Sequence, residues 1–249
     1  MAKYASLLGL ALLAAWMHDA QAGPPFVTDD PEPVELHAWE INYGATYTHA
    51  AGGSSGALPG VDLNYGVATN VQLHAQPQMA YVQGADGHSY GLGDLELGVK
   101  YRFTAPDQPS DGWMVGVYPM LELPTGSARR GLGAGSHSLY LPLWLQTTRG
   151  HWTFFGGGGY WLDSGADARN TWAGGATLLY QISERLQFGG ELYGSGARTM
   201  DGRATLGANL GGVYQLDGGM ALLFSAGRGL KSASTTNQAS LYLGLRTTY

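Results

Sequence analysis

Apolar and polar positions alternate with a period of two through most of the chain. In Leu95-Glu96-Leu97-Gly98-Val99-Lys100-Tyr101-Arg102-Phe103 every odd position is apolar or aromatic, and every even one is polar or glycine. A strand sends successive side chains to opposite faces, so this segment has one greasy face and one charged face. Wound as a helix, the same charges would be spread around the axis. Trp39, Ile41, Tyr43, Ala45 and Tyr47 likewise oppose Glu40, Asn42, Gly44, Thr46 and Thr48. Val61, Leu63, Tyr65 and Val67 oppose Asp62 and Asn64, and the apolar series from Val71 to Tyr81 opposes Gln72, His74, Gln76 and Gln78. Further segments near residues 113–123, 138–148, 152–162, 171–182, 186–194, 204–216, 220–228 and 239–249 bring the expected count to about twelve. An even number suits a single-chain bacterial barrel. At Gly156-Gly157-Gly158-Gly159 the pattern does not say which face points outward.

The predicted connections alternate in length. Tight links are expected at Ala68-Thr69-Asn70, Arg149-Gly150-His151, Ser183-Glu184-Arg185 and Asp217-Gly218-Gly219, with a longer one from Ala105 to Gly112. Between them fall wider loops: Ala50 to Pro59, Gln83 to Ser89, Thr125 to Ser136, Asp163 to Asn170, Ser195 to Gly202 and Gly229 to Asn237. Short turns at one end and longer loops at the other are expected of outer-membrane barrels, whereas a soluble sandwich gives no reason for them. The last strand puts Leu241, Leu243, Leu245, Thr247 and Tyr249 on one face. Outer-membrane proteins commonly finish in such an aromatic-ended strand, which the barrel-assembly machinery reads. The fold class is therefore all-β: a closed antiparallel up-and-down transmembrane barrel of about twelve strands over residues 36–249.

The first residues have a different character. Lys3 precedes an apolar run from Leu7 to Met17, which ends at Ala20-Gln21-Ala22 before Gly23-Pro24-Pro25. One positive charge, a short apolar core and a small-x-small site define a secretory signal, expected over residues 1–22. An acidic, proline-rich lead-in follows at residues 23–35. The location expected from these features is the outer membrane of a Gram-negative cell, with lipid and lipopolysaccharide as the expected surroundings.

Composition narrows the function. Charged residues make up 13% of 249, about half the roughly 25% of an ordinary globular chain. The 40 glycines disfavour a helical core, since each costs about 1 kcal/mol relative to alanine in a helix. Absent cysteines exclude disulfides and thiol catalysis, and a net charge of −6 offers nucleic acid no basic footprint. With apolar positions toward lipid, the lumen is lined by the alternate set, among them Asp62, Asn64, His74, Glu96, Lys100, Arg102, Glu122 and Glu191. Lys100 and Arg102 are expected to pair across the barrel with Glu96, Glu122 or Glu191, either as structural charge pairs or as a ring that orients passing solute.

Asp29, Asp30 and Glu32 lie in the acidic lead-in; a solvated tether is the plain reading, with a calcium site or a plug in the barrel mouth as alternatives. Arg129-Arg130 in the third wide loop could meet lipopolysaccharide phosphates, although a solvated loop explains them as well. Twelve strands also suit an outer-membrane lipid hydrolase, which needs a His to activate a Ser. Ser136-His137-Ser138 is the local candidate, but adjacent strand residues point to opposite faces. No zinc-protease spacing occurs, and Gly131-Leu132-Gly133-Ala134-Gly135 lacks the helix and Gly-Lys-Ser/Thr of a nucleotide loop. No catalytic residue, cofactor or metal site is therefore assigned.

Three stretches resemble the family of bacterial outer-membrane proteins named for the MetA pathway of phenol degradation. They are Gly23-Pro24-Pro25-Phe26-Val27-Thr28-Asp29-Asp30-Pro31-Glu32-Pro33, then Gly93 to Phe103 with Leu121-Glu122-Leu123-Pro124-Thr125-Gly126, and Leu141 to Gln146 followed by Gly156 to Trp161. The resemblance covers nearly all of the chain after the signal. It implies an outer-membrane channel or transporter passing small solutes, aromatic or hydrophobic compounds among them. The rival reading is a structural or adhesive barrel with a closed lumen.

Overall fold

The computed structural model describes residues 24–85, 87–104 and 112–249. The expected export signal and most of the link from Ala105 to Gly112 lie outside them. Among the described residues, fifteen strand segments join in one antiparallel sheet. In chain order they are β1 (Trp39–Ala50), β2 (Gly53–Ala68), β3 (Val71–Gln76), β4 (Gln78–Gly84) and β5 (Gly87–Leu92). Next come β6 (Leu95–Arg102), β7 (Trp113–Val117), β8 (Met120–Leu123), β9 (Ser138–Arg149) and β10 (Trp152–Asp163). The last five are β11 (Thr171–Ser183), β12 (Leu186–Ser195), β13 (Thr205–Gln215), β14 (Met220–Lys231) and β15 (Ala239–Thr248).

Three pairs of segments are single barrel strands, interrupted at Pro77, at Gly93-Asp94 and at Tyr118-Pro119. Proline cannot donate to a ladder, so β2 changes partner from β3 to β4 at Pro77. The proline carbonyl stays in use, accepting from Val61 N–H at 3.0 Å. Counted around the lumen there are twelve strands, as the alternation predicts. The first closes on the last in an unbroken register from Glu40 opposite Thr248 to His49 opposite Ala239. That closure leaves no edge of unpaired N–H and C=O groups, which hydrocarbon would not tolerate.

Burial is inverted relative to a soluble domain. Leu243 is 58% exposed, whereas Arg246 is 2% exposed, on the same strand. Leu97, Val99 and Tyr101 stand outward while Lys100 and Arg102 are buried. Among the described residues no helix is long and apolar enough to cross a membrane; the apolar belt on the strands is what meets lipid.

Two expected wide loops are instead tight turns. β1 and β2 join at Ala51-Gly52, with Ala50 opposite Gly53, and β4 joins β5 with Gly84 opposite Gly87. Gly53, Ser54, Ser55 and Gly56 carry no apolar alternation, yet all four pair with β4 and the first three also with β1. Small side chains hid this stretch of strand. Nor do all apolar positions face lipid: Phe155, Leu179 and Leu223 point into the barrel and are fully buried.

Candidate solute passage

One arc of the inner wall, on β15, β1, β2, β3 and β6, is a connected polar network. Arg246 Nε donates to Asn42 Oδ1 at 2.9 Å and lies 3.3 Å from Glu40 Oε2. Asn42 Nδ2 donates to Asp62 Oδ2 at 3.0 Å, and Asn64 Nδ2 to Asp62 Oδ1 at 2.8 Å. Gln72 Nε2 donates to Asn64 Oδ1 at 2.6 Å. His74 sits between two carboxylates, with Nδ1 3.0 Å from Asp62 and Nε2 3.2 Å from Glu96. Period-two alternation builds this arc directly: Glu40 and Asn42 on β1 lie opposite Asn64 and Asp62 on β2.

The lead-in crosses the lumen. Beginning beside β14 and β15, its Pro25 carbonyl accepts from Ser225 Oγ at 2.7 Å and its Pro24 carbonyl from Arg246 Nη2 at 3.3 Å. Phe26 packs edge-on to Phe155 of β10 at 6.5 Å, and Thr28 N–H donates to Glu191 Oε1. Lys100 then holds the acidic turn, donating to Asp29 at 2.9 Å, Asp30 at 3.3 Å and the Glu32 carbonyl at 3.4 Å. Gln146 Nε2 donates to Glu32 Oε2 at 3.1 Å, and Val34 N–H to Gln72 at 2.9 Å. Leu36 makes a parallel bridge to Gly66. A Cβ at Gly175 would collide with Thr28 Oγ1, and one at Gly66 with the Glu35 carbonyl, so glycine is what lets the segment lie so close. Burial pushes the Asp30 carboxyl up to about 6, against the opposing pull of Lys100.

The other arc is aromatic. Tyr118, Tyr140 and Trp144 form a buried cluster joined by Met120, Trp161 and Ala173. Tyr140 and Trp161 stack at 4.5 Å. Arg198, from the loop between β12 and β13, lies 3.8 Å over the Trp161 ring and pairs with Asp163 at 2.7 Å and Glu122 at 3.0 Å. These groups surround a cavity of about 450 Å³, which has Phe26, Thr28 and Asp29 of the lead-in among its lining. A second cavity of about 200 Å³ lies between the lead-in and the polar arc. Pro24, Asp29, Asp62 and Tyr118 line both.

All eight lumen residues selected by alternation are on the inner face, but their partners differ from expectation. Lys100 pairs with Asp29 and Asp30 rather than with a carboxylate across the barrel. Arg102 binds Asn70 Oδ1, at 3.1 Å through Nη2, near the turn between β2 and β3. Glu122 pairs with Arg198, Glu96 with His74, and Glu191 accepts from Thr28 and Asn209. Asp29, Asp30 and Glu32 are not on a solvated tether: Asp30 is 1% exposed, and Lys100 supplies the positive charge a calcium ion would bring. Of the loop arginines, Arg130 donates to the Tyr90 carbonyl at 2.9 Å. His137 is exposed in the loop before β9 and Ser138 is buried at the start of that strand, so the two do not share one environment.

Alternation by polarity missed the aromatic arc and Arg198. One signal was present: Tyr140, Pro142 and Trp144 share the parity of Ser138 and Gln146 at the two ends of β9. Carrying that parity through the apolar middle turns the aromatics inward. Arg198 had no such marker, because loop residues carry no alternation.

A closed twelve-stranded barrel with an apolar belt and a polar lumen is an outer-membrane barrel. The chain matches the family described as Putative MetA-pathway of phenol degradation over residues 21–247, and it belongs to that family. It is similar to the crystal structure of the COG4313 outer membrane channel from Pseudomonas putida F1, at 18% identity and TM-score 0.67. That match covers 88% of this chain and 98% of the other. The KdgM porin is similar at 11% identity and TM-score 0.59, covering 84% and 99%. The NanC porin is similar at 10% identity and TM-score 0.57, covering 82% and 98%. At these identities the likeness is one of fold. No curated protein matches the chain at a significant level.

Proposed function

We propose that the protein is an outer-membrane channel through which small solutes, aromatic compounds among them, diffuse without energy input. The observation that carries this is the cavity of about 450 Å³, bounded by Tyr118, Tyr140, Trp144 and Trp161 on one side and by His74 and Glu96 on the other. It shares Asp29 and Asp62 in its lining with the smaller cavity. An aromatic wall offers ring faces to a flat solute, while the polar wall replaces part of its hydration. Twelve strands are intermediate between barrels filled by side chains and open sixteen-stranded porins, and the lead-in narrows this lumen further. The similar solved channels and the family's name support the same reading, as does a secretory signal at residues 1–22 for export to the outer membrane. Nothing catalytic is needed, and the different environments of His137 and Ser138 favour none.

The lead-in crossing the lumen favours the second reading, a structural barrel with a closed interior. The two are separated by purified protein in planar bilayers and in liposomes. A channel gives discrete conductance steps and solute-dependent swelling; no conductance and no flux in both assays would overturn the proposal.

A further inference from the structure

Among the described residues, the lumen's cations do not neutralise its carboxylates. Lys100 is held between Asp29 and Asp30, His74 between Asp62 and Glu96, and Arg198 between Asp163 and Glu122. Each of these sites has two carboxylates around one cation, and His74 counts as a cation only when both ring nitrogens carry protons. Arg246 lies against Glu40, but Glu191 accepts from the neutral Thr28 N–H and Asn209 amide. Arg102 is the contrary case, its guanidinium bound to Asn70 and Met114, and it lies at the turn end of β6 rather than along either cavity. The smaller cavity is lined by Asp29, Asp30, Glu32, Glu35, Glu40 and Asp62, with Lys100 as the one lining cation among the described residues. Along the cavity of about 450 Å³ Asp29, Asp62 and Glu96 share the lining with His74 and Arg198.

A narrow passage with low-dielectric walls focuses the field of such a surplus on whatever passes. An anion would move past paired carboxylates whose counter-charges are already shared, whereas a cation would meet acceptor oxygens at each station. We infer that the lumen passes cations in preference to anions, so that among small aromatic solutes it admits ammonium-bearing and neutral compounds and rejects carboxylates. The inference rests on the channel reading proposed above and adds the charge class of its solute.

The experiment is the reversal potential of the full-length mature protein in planar bilayers under a KCl gradient, together with liposome flux of phenethylammonium and benzoate. The expected reversal potential lies toward the potassium equilibrium value, and phenethylammonium enters faster than benzoate. Because the effect is a field, it weakens when bulk salt rises from 0.1 M to 1 M and the screening length falls from about 10 to about 3 Å. The double variant Asp62→Asn, Glu96→Gln shifts the reversal potential toward zero, while Asp217→Asn in the exposed turn between β13 and β14 leaves it unchanged. If the double variant fails to assemble, Glu122→Gln, whose side chain is only partly buried, gives a smaller shift in the same direction. A conducting barrel with a zero or chloride-directed reversal potential, or one that passes benzoate faster, removes the selectivity and leaves the channel. A bilayer silent under every condition, with no flux, removes the channel reading and the selectivity with it.

Discussion

The two arcs of the lumen wall follow the same backbone rule and are held by different forces. On β15, β1, β2, β3 and β6 the inward side chains are Arg246, Asn42, Asp62, His74 and Lys100; the first four are joined through charge-assisted hydrogen bonds, and Lys100 binds Asp29 and Asp30 of the lead-in. On β9 and β10 they are Tyr140, Trp144, Phe155 and Trp161, held by ring packing. The lead-in is fastened to both, by Lys100 on one side and by Phe155 on the other. A network of buried charges is intolerant of losing one member, whereas an aromatic cluster loses stability by degrees. The comparison thus predicts where the interior is brittle and where it yields.

The largest effect is expected on the polar arc. Lys100→Met takes away the ammonium between Asp29 and Asp30 and leaves Asp30 buried without its counter-charge. Removing one partner of a buried pair costs about 3–5 kcal/mol. Most of that cost is avoided if the lead-in leaves the lumen and rehydrates its carboxylates. The variant should therefore conduct more than the parent, and residues 24–36 should become accessible to protease. Unchanged conductance with a protected lead-in would show that Lys100 does not fasten the segment.

A smaller effect comes from pH and isolates one carboxyl. With the Asp30 pKa raised by burial to about 6 from 3.8, the folded chain holds a proton there over an interval in which the unfolded chain has released it. Stability then falls with rising pH across that interval. The penalty is absent below about 4 and fully present above about 6. Asp30→Asn cannot ionise, so the difference in unfolding midpoint between variant and parent should grow from pH 4 to pH 6 and then level. A flat difference would mean that Lys100 offsets the burial completely.

How much of this was legible in the sequence follows the same division. Twelve strands and closure could be read because polar and apolar residues alternate cleanly in segments such as Leu95–Arg102. The polar arc came with them, since Asp62, His74 and Lys100 stand between apolar neighbours. The aromatic arc did not, because in Leu139-Tyr140-Leu141-Pro142-Leu143-Trp144-Leu145 both faces are apolar and polarity cannot tell lipid from lumen. The lead-in was misread for another reason. Its carboxylates read as those of a solvated tether, and Lys100, the partner of Asp29 and Asp30, is 70 residues from Asp30 in the chain. The inward glycines at Gly66 and Gly175 mark the segment's track, but without the fold nothing distinguishes them from glycines that ease curvature.

The smallest effect is expected on the aromatic arc, where Phe155→Leu tests whether the ring contact with Phe26 does more than fill space. The rings meet edge-on at 6.5 Å with an interplanar angle of 62°, and such pairs contribute about 0.5–1.5 kcal/mol beyond the area they bury. Leucine keeps most of the apolar contact and lowers the volume only modestly, so the loss should be about 1 kcal/mol in a urea titration of the folded barrel. Because the charged side of the lead-in still binds Lys100, conductance should stay close to that of the parent. A conductance rise as large as that of Lys100→Met would mean that the ring contact, and not the ion pair, fastens the lead-in, and the contrast between a brittle arc and a yielding one would be reversed.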